Sequence, residues 1–337
     1  MQSYRRRGVS ARTRTYATVA VAALAAAGLV VAAVAFTRTS TGGGGSAHAQ
    51  TTPSVRGRAP ALVLDLGVRT DPEARALRRA SRLYANGDRR AAGRIFARYH
   101  SVDARVGAAL ARWPDGSLAA LERLAATHPA SATVLLHLGL ARLAAGQEAA
   151  ARAAWRQALA RDPDTQPALE AESLLYPAMA PSRPPFVPGF AMPAAIARLP
   201  APQQFRRLRL DATGGGIRAR LLYGAALQRL GRSVEAEREF AAAARSAPGD
   251  DEAQVAAAVG RFSKARPAAA FARLGPLSGR FPRSQSVRFH LGELLLWLRQ
   301  VPQAEQQLRL ARALGPRTPL GRTSKAFLAE LSALRTR

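Results

Sequence analysis

The chain has 337 residues, with 50 Lys or Arg against 22 Asp or Glu, a net charge of +28 and no cysteine. The length allows a sizeable buried core. The lack of cysteine excludes a disulfide framework, a thiolate zinc cage, a thiol nucleophile and lipoprotein acylation. Almost all the positive charge is arginine, since Lys264 and Lys325 are the only lysines, and it reads in two ways. One is the Arg- and Ala-rich composition of a GC-rich genome; the other is attraction to an anionic surface such as acidic protein, lipid headgroups, wall polymer or nucleic acid.

Residues 1–15 form a basic tail with Arg5, Arg6, Arg7, Arg12 and Arg14. Residues 16–36 then run without a charge, about 30 Å as a helix, enough for one bilayer core. The arginines on the amino-terminal side predict a single transmembrane helix acting as a signal anchor, with the tail in the cytoplasm and everything after Phe36 outside. The competing expectation is a signal peptide cleaved at Ala33-Val34-Ala35 or Ala47-His48-Ala49, which releases a secreted protein. Residues 37–60, with Gly42–Gly45 and scattered Ser, Thr, Ala and Pro, read as a flexible linker. No Lys-Ser/Thr follows the glycines, so they are not a phosphate loop.

The stretch Ala61–Val68 is a short apolar run that reads either as extended or as part of the first helix. Asp71 then stands as N-cap before Pro72 at the first helical position. Three helical hairpins follow, at Glu73–His100, Asp103–Pro129 and Ala132–Thr165, and a further helix from Pro167 ends before Pro177. Residues 61–176 are thus one array. Residues 177–216 form a connector. Tyr176–Phe205 holds eight prolines, with Phe186, Val187, Phe190 and Met192 between them, so it is predicted to dock extended against a helical array. The connector runs into the densest basic region, Arg198 to Arg232, with eight Arg against Asp211 alone. Gly214–Gly216 interrupts it as a hinge or helix start. Arg206, Arg207, Arg209, Arg218 and Arg220 are its candidate anion-binding residues. Few aromatics accompany them, which argues against single-stranded nucleic acid.

In Arg220–Pro248 two amphipathic helices meet at Gly231. Gly224 permits a close helix–helix approach, Ala236 is small, Phe240 and Ala243 continue the apolar stripe, and Pro248 ends the second helix. Pro248, Pro282 and Pro316 are 34 residues apart, as are Pro129 and Pro163. This order and period resemble the tetratricopeptide repeat, a helix–turn–helix unit of about 34 residues. The resemblance covers residues 73–165 and 217–318. It implies an all-α, TPR-like helical-hairpin solenoid in two arms, preceded by the transmembrane helix. Residues 319–337 hold a capping helix read at about Ser324–Arg335.

In proteins of this family the first helix of each repeat lines a concave peptide-binding face. That register places Tyr84, Leu136, Leu140, Leu143, Leu221, Gln228, Val259, Phe262, Phe289, Glu293, Leu296 and Trp297 there as partner-binding residues. The Lys and Asn that capture chaperone tails are missing, Leu221 and Ala225 standing at two of those positions. The face is instead mostly apolar. It is covered by the chain's own Phe186–Met192 or by superhelical packing, or it is a groove for an apolar partner segment.

The five histidines show no metal spacing, and His137 and His290 on first helices read as packed or surface residues. Asp162-Pro163-Asp164 reads as a helix stop and cap. No nucleophile elbow, phosphate loop or dinucleotide fingerprint is present. The sequence therefore predicts no catalytic, metal or cofactor site and no enzyme. It predicts a protein-interaction scaffold of a bacterial cell membrane with unidentified protein partners. The alternative is an electrostatic binder of an anionic polymer through Arg198–Arg232.

Overall fold

A capping side chain opens most of the first helices. Asp71, Ser101, Ser131, Asp250 and Ser284 each accept a backbone N–H from the first turn that follows. The computed structural model describes residues 59–335. The basic tail, the membrane span at 16–36 and the linker up to residue 58 lie outside the described residues. Among the described residues no helix is long and apolar enough to cross a membrane.

The described chain is an all-α array of helical hairpins, with no strand among the described residues. In the first array α1 (Pro72–Ala85) pairs with α2 (Arg89–Phe96), and α3 (Val102–Ala111) with α4 (Ser117–Thr127). Then α5 (Ala132–Ala144) pairs with α6 (Glu148–Arg161), and α7 (Gln166–Leu175) closes the array. A one-turn α8 (Ala194–Ala197) and α9 (Ala201–Thr213) follow. In the second array α10 (Ile217–Arg229) pairs with α11 (Ser233–Ser246). Next, α12 (Asp251–Gly260) packs on α13 (Pro267–Leu274) and the short α14 (Leu277–Arg280). Finally α15 (Gln285–Trp297) pairs with α16 (Val301–Leu314), and α17 (Pro319–Arg335) is the last element.

In three hairpins a glycine of the first helix faces a large side chain of the second, Gly139 to Trp155, Gly224 to Phe240 and Gly292 to Leu308, and this sets the helix spacing. A Cβ on Gly139 would lie 2.2 Å from the Trp155 indole nitrogen, and one on Gly224 would lie 2.3 Å from the Phe240 ring. Trp155 fills the space that glycine leaves, and its N–H donates to the Leu136 carbonyl at 3.2 Å. Phe240 is fully buried in the same way. The hairpin turns use the left-handed region: Gly87, Gly146 and Gly231 have φ of 90°, 80° and 77°, while Arg299 holds the equivalent place between α15 and α16 at φ 60°.

Of the two readings left open for Ala61–Val68, the helical one falls away: residues 61–66 lie outside any helix and residues 67–68 form a turn. Other details differ from the sequence reading. The final helix begins at Pro319 rather than near Ser324. Gly321 weakens the helical pattern there, yet only glycine fits, because a Cβ would lie 1.9 Å from the Gly315 carbonyl oxygen. The connector contains the thirteen-residue α9, which packs on α10. Gly214–Gly216 is the turn between those two helices.

The arrays meet through Asp164 and Arg232. The Asp164 carboxylate accepts from the backbone N–H of Val234 at 2.8 Å and Glu235 at 3.2 Å, capping α11 from 70 residues away. Arg232 reaches the Asp164 carbonyl and pairs with Asp65 at 2.8 Å. Asp162 accepts from the Ala132 N–H. Both acids of the Asp-x-Asp sequence therefore serve helix starts.

Candidate functional site

Each array holds an extended piece of this same chain in its groove. In the first, residues 59–68 form the strap. Tyr84 on α1 donates its hydroxyl to the Pro60 carbonyl at 2.7 Å. The Val63 N–H donates to His137 Nε2 at 3.0 Å, and the Asp65 N–H to Asp103 Oδ1 at 3.0 Å. Leu66 is buried, and Leu62 and Leu64 pack on the first-array core. In the second, residues 181–192 form the strap. The Phe186 N–H donates to Gln228 Oε1 at 2.9 Å and the Val187 N–H to His290 Nε2 at 3.0 Å. The Gly189 N–H is shared between the two Glu252 oxygens at 3.1 and 3.2 Å. The Phe186 ring lies edge-on to Phe240 and stacks on the His290 imidazole, with centroids 5.3 and 5.2 Å apart.

The two arrangements share one register. His137 and His290 are the sixth residues of α5 and α15, and Asp103 and Glu252 are the second residues of α3 and α12. In both straps the two amides bound by histidine and carboxylate are two residues apart, which puts them on one edge of an extended chain. A backbone N–H can only donate, so each Nε2 is the bare nitrogen. The proton therefore sits on Nδ1, which donates to the carbonyl of Thr133 at 2.6 Å or Ser286 at 2.8 Å. Burial holds both imidazoles neutral, pushing each from 6.5 down to about 4.

The carboxylates are shifted the opposite way. Burial raises Asp103 from its ordinary value and pushes Glu252 from 4.5 up to about 7, against the opposing pull of the Gly189 N–H. At the ends of the second strap, Arg183 makes a two-pronged pair with Glu172 at 2.7 and 3.1 Å. Arg299 donates to the Ala178 carbonyl, and the Arg218 guanidinium lies 5.2 Å from the Phe190 ring.

The predicted concave residues divide by these contacts. Tyr84 and Gln228 bind the straps directly. Val259, Phe262 and Glu293 surround Pro184 of the second strap. Leu140 and Leu143 are half-buried near Val63 in one cluster. Leu136, Leu221, Phe289 and Leu296 are buried between helices. Trp297 packs on Phe262 with the Lys264 ammonium 5.9 Å from its ring. His137, His290, Asp103 and Glu252 were not among the predicted binding residues. The signal available for the histidines is their shared place, two residues before Gly139 and Gly292 and four after Thr133 and Ser286.

Of the five candidate anion-binding arginines, Arg207 pairs with Asp211 at 2.9 Å and Arg220 with Glu239 at 3.0 Å, while Arg218 lies over Phe190. Arg206 and Arg209 are exposed. Arg209 borders a cleft of about 580 Å³ shared with Asp65, Glu235 and Glu239, so the charge there is mixed. Among the described residues no group of three His, Asp or Glu side chains is placed to hold a metal ion.

No protein-family model and no curated protein matches this chain. Solved structures that it resembles include a tetratricopeptide repeat protein from Parabacteroides merdae, at 16% identity and a TM-score of 0.34, covering 77% of this chain and 98% of that one. Yeast Tom70 is 13% identical with a TM-score of 0.30, covering 74% of this chain and 51% of that one. The TPR2AB domain of yeast Sti1, solved as a complex with pHSP90, is 12% identical with a TM-score of 0.27, covering 77% and 98%.

Proposed function

We propose that this chain is a non-enzymatic protein-interaction scaffold that binds extended segments of partner proteins in its helical grooves. One observation carries the reading: both grooves seat an extended strand through backbone amides and apolar side chains, in the same register. Main-chain bonds of that kind supply affinity that is tolerant of sequence, and the pockets for alternate side chains supply preference. The anion-polymer alternative is less favoured, because three of its five arginines are engaged within the chain.

The sequence of residues 16–36 supports membrane anchoring as part of this proposal, with the amino terminus in the cytoplasm and the solenoid outside. Carbonate extraction of native membranes tests it. An anchored chain stays in the pellet, whereas a cleaved, secreted one is recovered in the soluble fraction and starts at Phe36 or Gln50.

The groove reading is tested with the full-length chain in detergent micelles. Phe186→Ser with Val187→Ser vacates the second groove, and a labelled synthetic peptide of residues 181–192 is then titrated by fluorescence anisotropy. Saturable binding to the vacated chain is expected, with much weaker binding to the unsubstituted one. There the tethered strap competes at an effective concentration on the order of millimolar. No binding to a vacated chain that keeps its helical circular-dichroism spectrum would overturn the proposal.

A further inference from the structure

The two grooves match in their hydrogen bonds but not in their floors. The ninth residue of α5 is Leu140, whereas the ninth residue of α15 is Glu293. Glu293 is 1% exposed, and neither carboxyl oxygen has a hydrogen-bond partner. It lies against Pro184, Val259, Phe262 and Leu294, and the space among them is too small for a water molecule. The strap residue beside it, Pro184, carries no N–H to offer. Nearby cations are committed elsewhere: Arg183 to Glu172, and the Lys264 ammonium to Ser173 Oγ at 3.0 Å. Burial pushes Glu293 from 4.5 up to about 8, so it is a neutral acid near pH 7.

A buried carboxyl without a donor is a defect in a groove built only for this strap. It is a recognition element in a groove built for something else. The first groove acts as an internal control, since there the same position is apolar and the strap leaves no such acid beneath it. Resting on the scaffold reading above, we propose that the second strap is a resident stand-in. The groove's intended occupant is an extended segment of another protein that carries Lys or Arg where the strap has Pro184, followed two and three residues later by a large apolar residue and a β-branched one. That segment keeps the amide contacts to Gln228, His290 and Glu252 and adds a charge-assisted bond to Glu293, which the strap cannot make. Binding would therefore open the connector between the arrays as the strap leaves.

Two measurements on the full-length chain in micelles test this. The first needs no strap release: Pro184→Lys places the cation in the tethered strap itself. It should raise the melting temperature relative to Pro184→Ala, and the gain should vanish in a Glu293→Leu background, which copies the first groove. The second titrates the vacated Phe186→Ser, Val187→Ser chain with the peptide of residues 181–192 and with its Pro184→Lys version. The lysine peptide should bind roughly tenfold tighter or more, and the preference should be lost when Glu293→Leu is added. Equal affinities with no coupling in the melting experiment overturn this inference and leave the scaffold reading standing. If neither peptide binds, the scaffold reading falls and this inference with it.

Discussion

His290 takes the Val187 N–H on Nε2 and gives its own proton to the Ser286 carbonyl, so a single imidazole ties the strap to the turn of helix beneath it. His137 does the same for Val63 and Thr133. These bonds require neutral rings, and with the carboxyls they set a pH signature. A carboxyl whose proton is held more tightly in the fold contributes stability below its unfolded value near 4.5. Glu252 and Glu293 lose that contribution as pH rises through about 7 and about 8. The histidines run the other way. Their folded value near 4 lies below 6.5, so stability falls as pH drops through that interval. The trends oppose each other between pH 4.5 and 6.5, and above 6.5 the carboxyls act alone up to about 8. The melting temperature should therefore fall from pH 6.5 to 8, with the upper part of the fall absent in Glu293→Gln. A melting temperature that climbs from pH 6.5 to 8 would refute this assignment.

At the scale of the elements, the hairpins were legible because their determinants are local. A glycine facing a bulky residue, a left-handed turn glycine and a closing proline all recur within one repeat. Gly224→Ala should cost about 1–3 kcal/mol in urea unfolding, since the new methyl meets the buried Phe240 ring at 2.3 Å and Phe240 is itself packed against Phe186. A loss near zero would mean that the helices separate freely there. Other elements were less legible. The buried stripe of α9 is one column, Gln204, Leu208 and Ala212, set among arginines and opened by Pro200 and Pro202, so little apolar periodicity marks it. The straps have no period at all. Their conformation comes from contacts with side chains up to 103 residues away, and only the mixture of prolines with Phe and Val in the second one signalled a docked segment. The site was half visible for the same reason: Tyr84, Gln228 and Glu293 follow from the repeat register, whereas a buried histidine in sequence looks like any core residue.

Across the whole molecule, the chain repeats one plan twice: a strap, three hairpins and a closing helix, with α8 and α9 inserted after the second strap. Asp164 and Arg232 lock the closing helix of the first array to the opening hairpin of the second. This plan explains how an array with an apolar concave face avoids exposing it. Amide hydrogen exchange followed by mass spectrometry on the full-length chain tests this most directly. Segments 60–66 and 183–190 should both be protected, the second opening more readily than the first. His290→Leu should speed exchange in 183–190 while leaving 60–66 unchanged. Exchange of both segments at the rate of a free peptide, in a chain whose helices stay protected, would contradict the account.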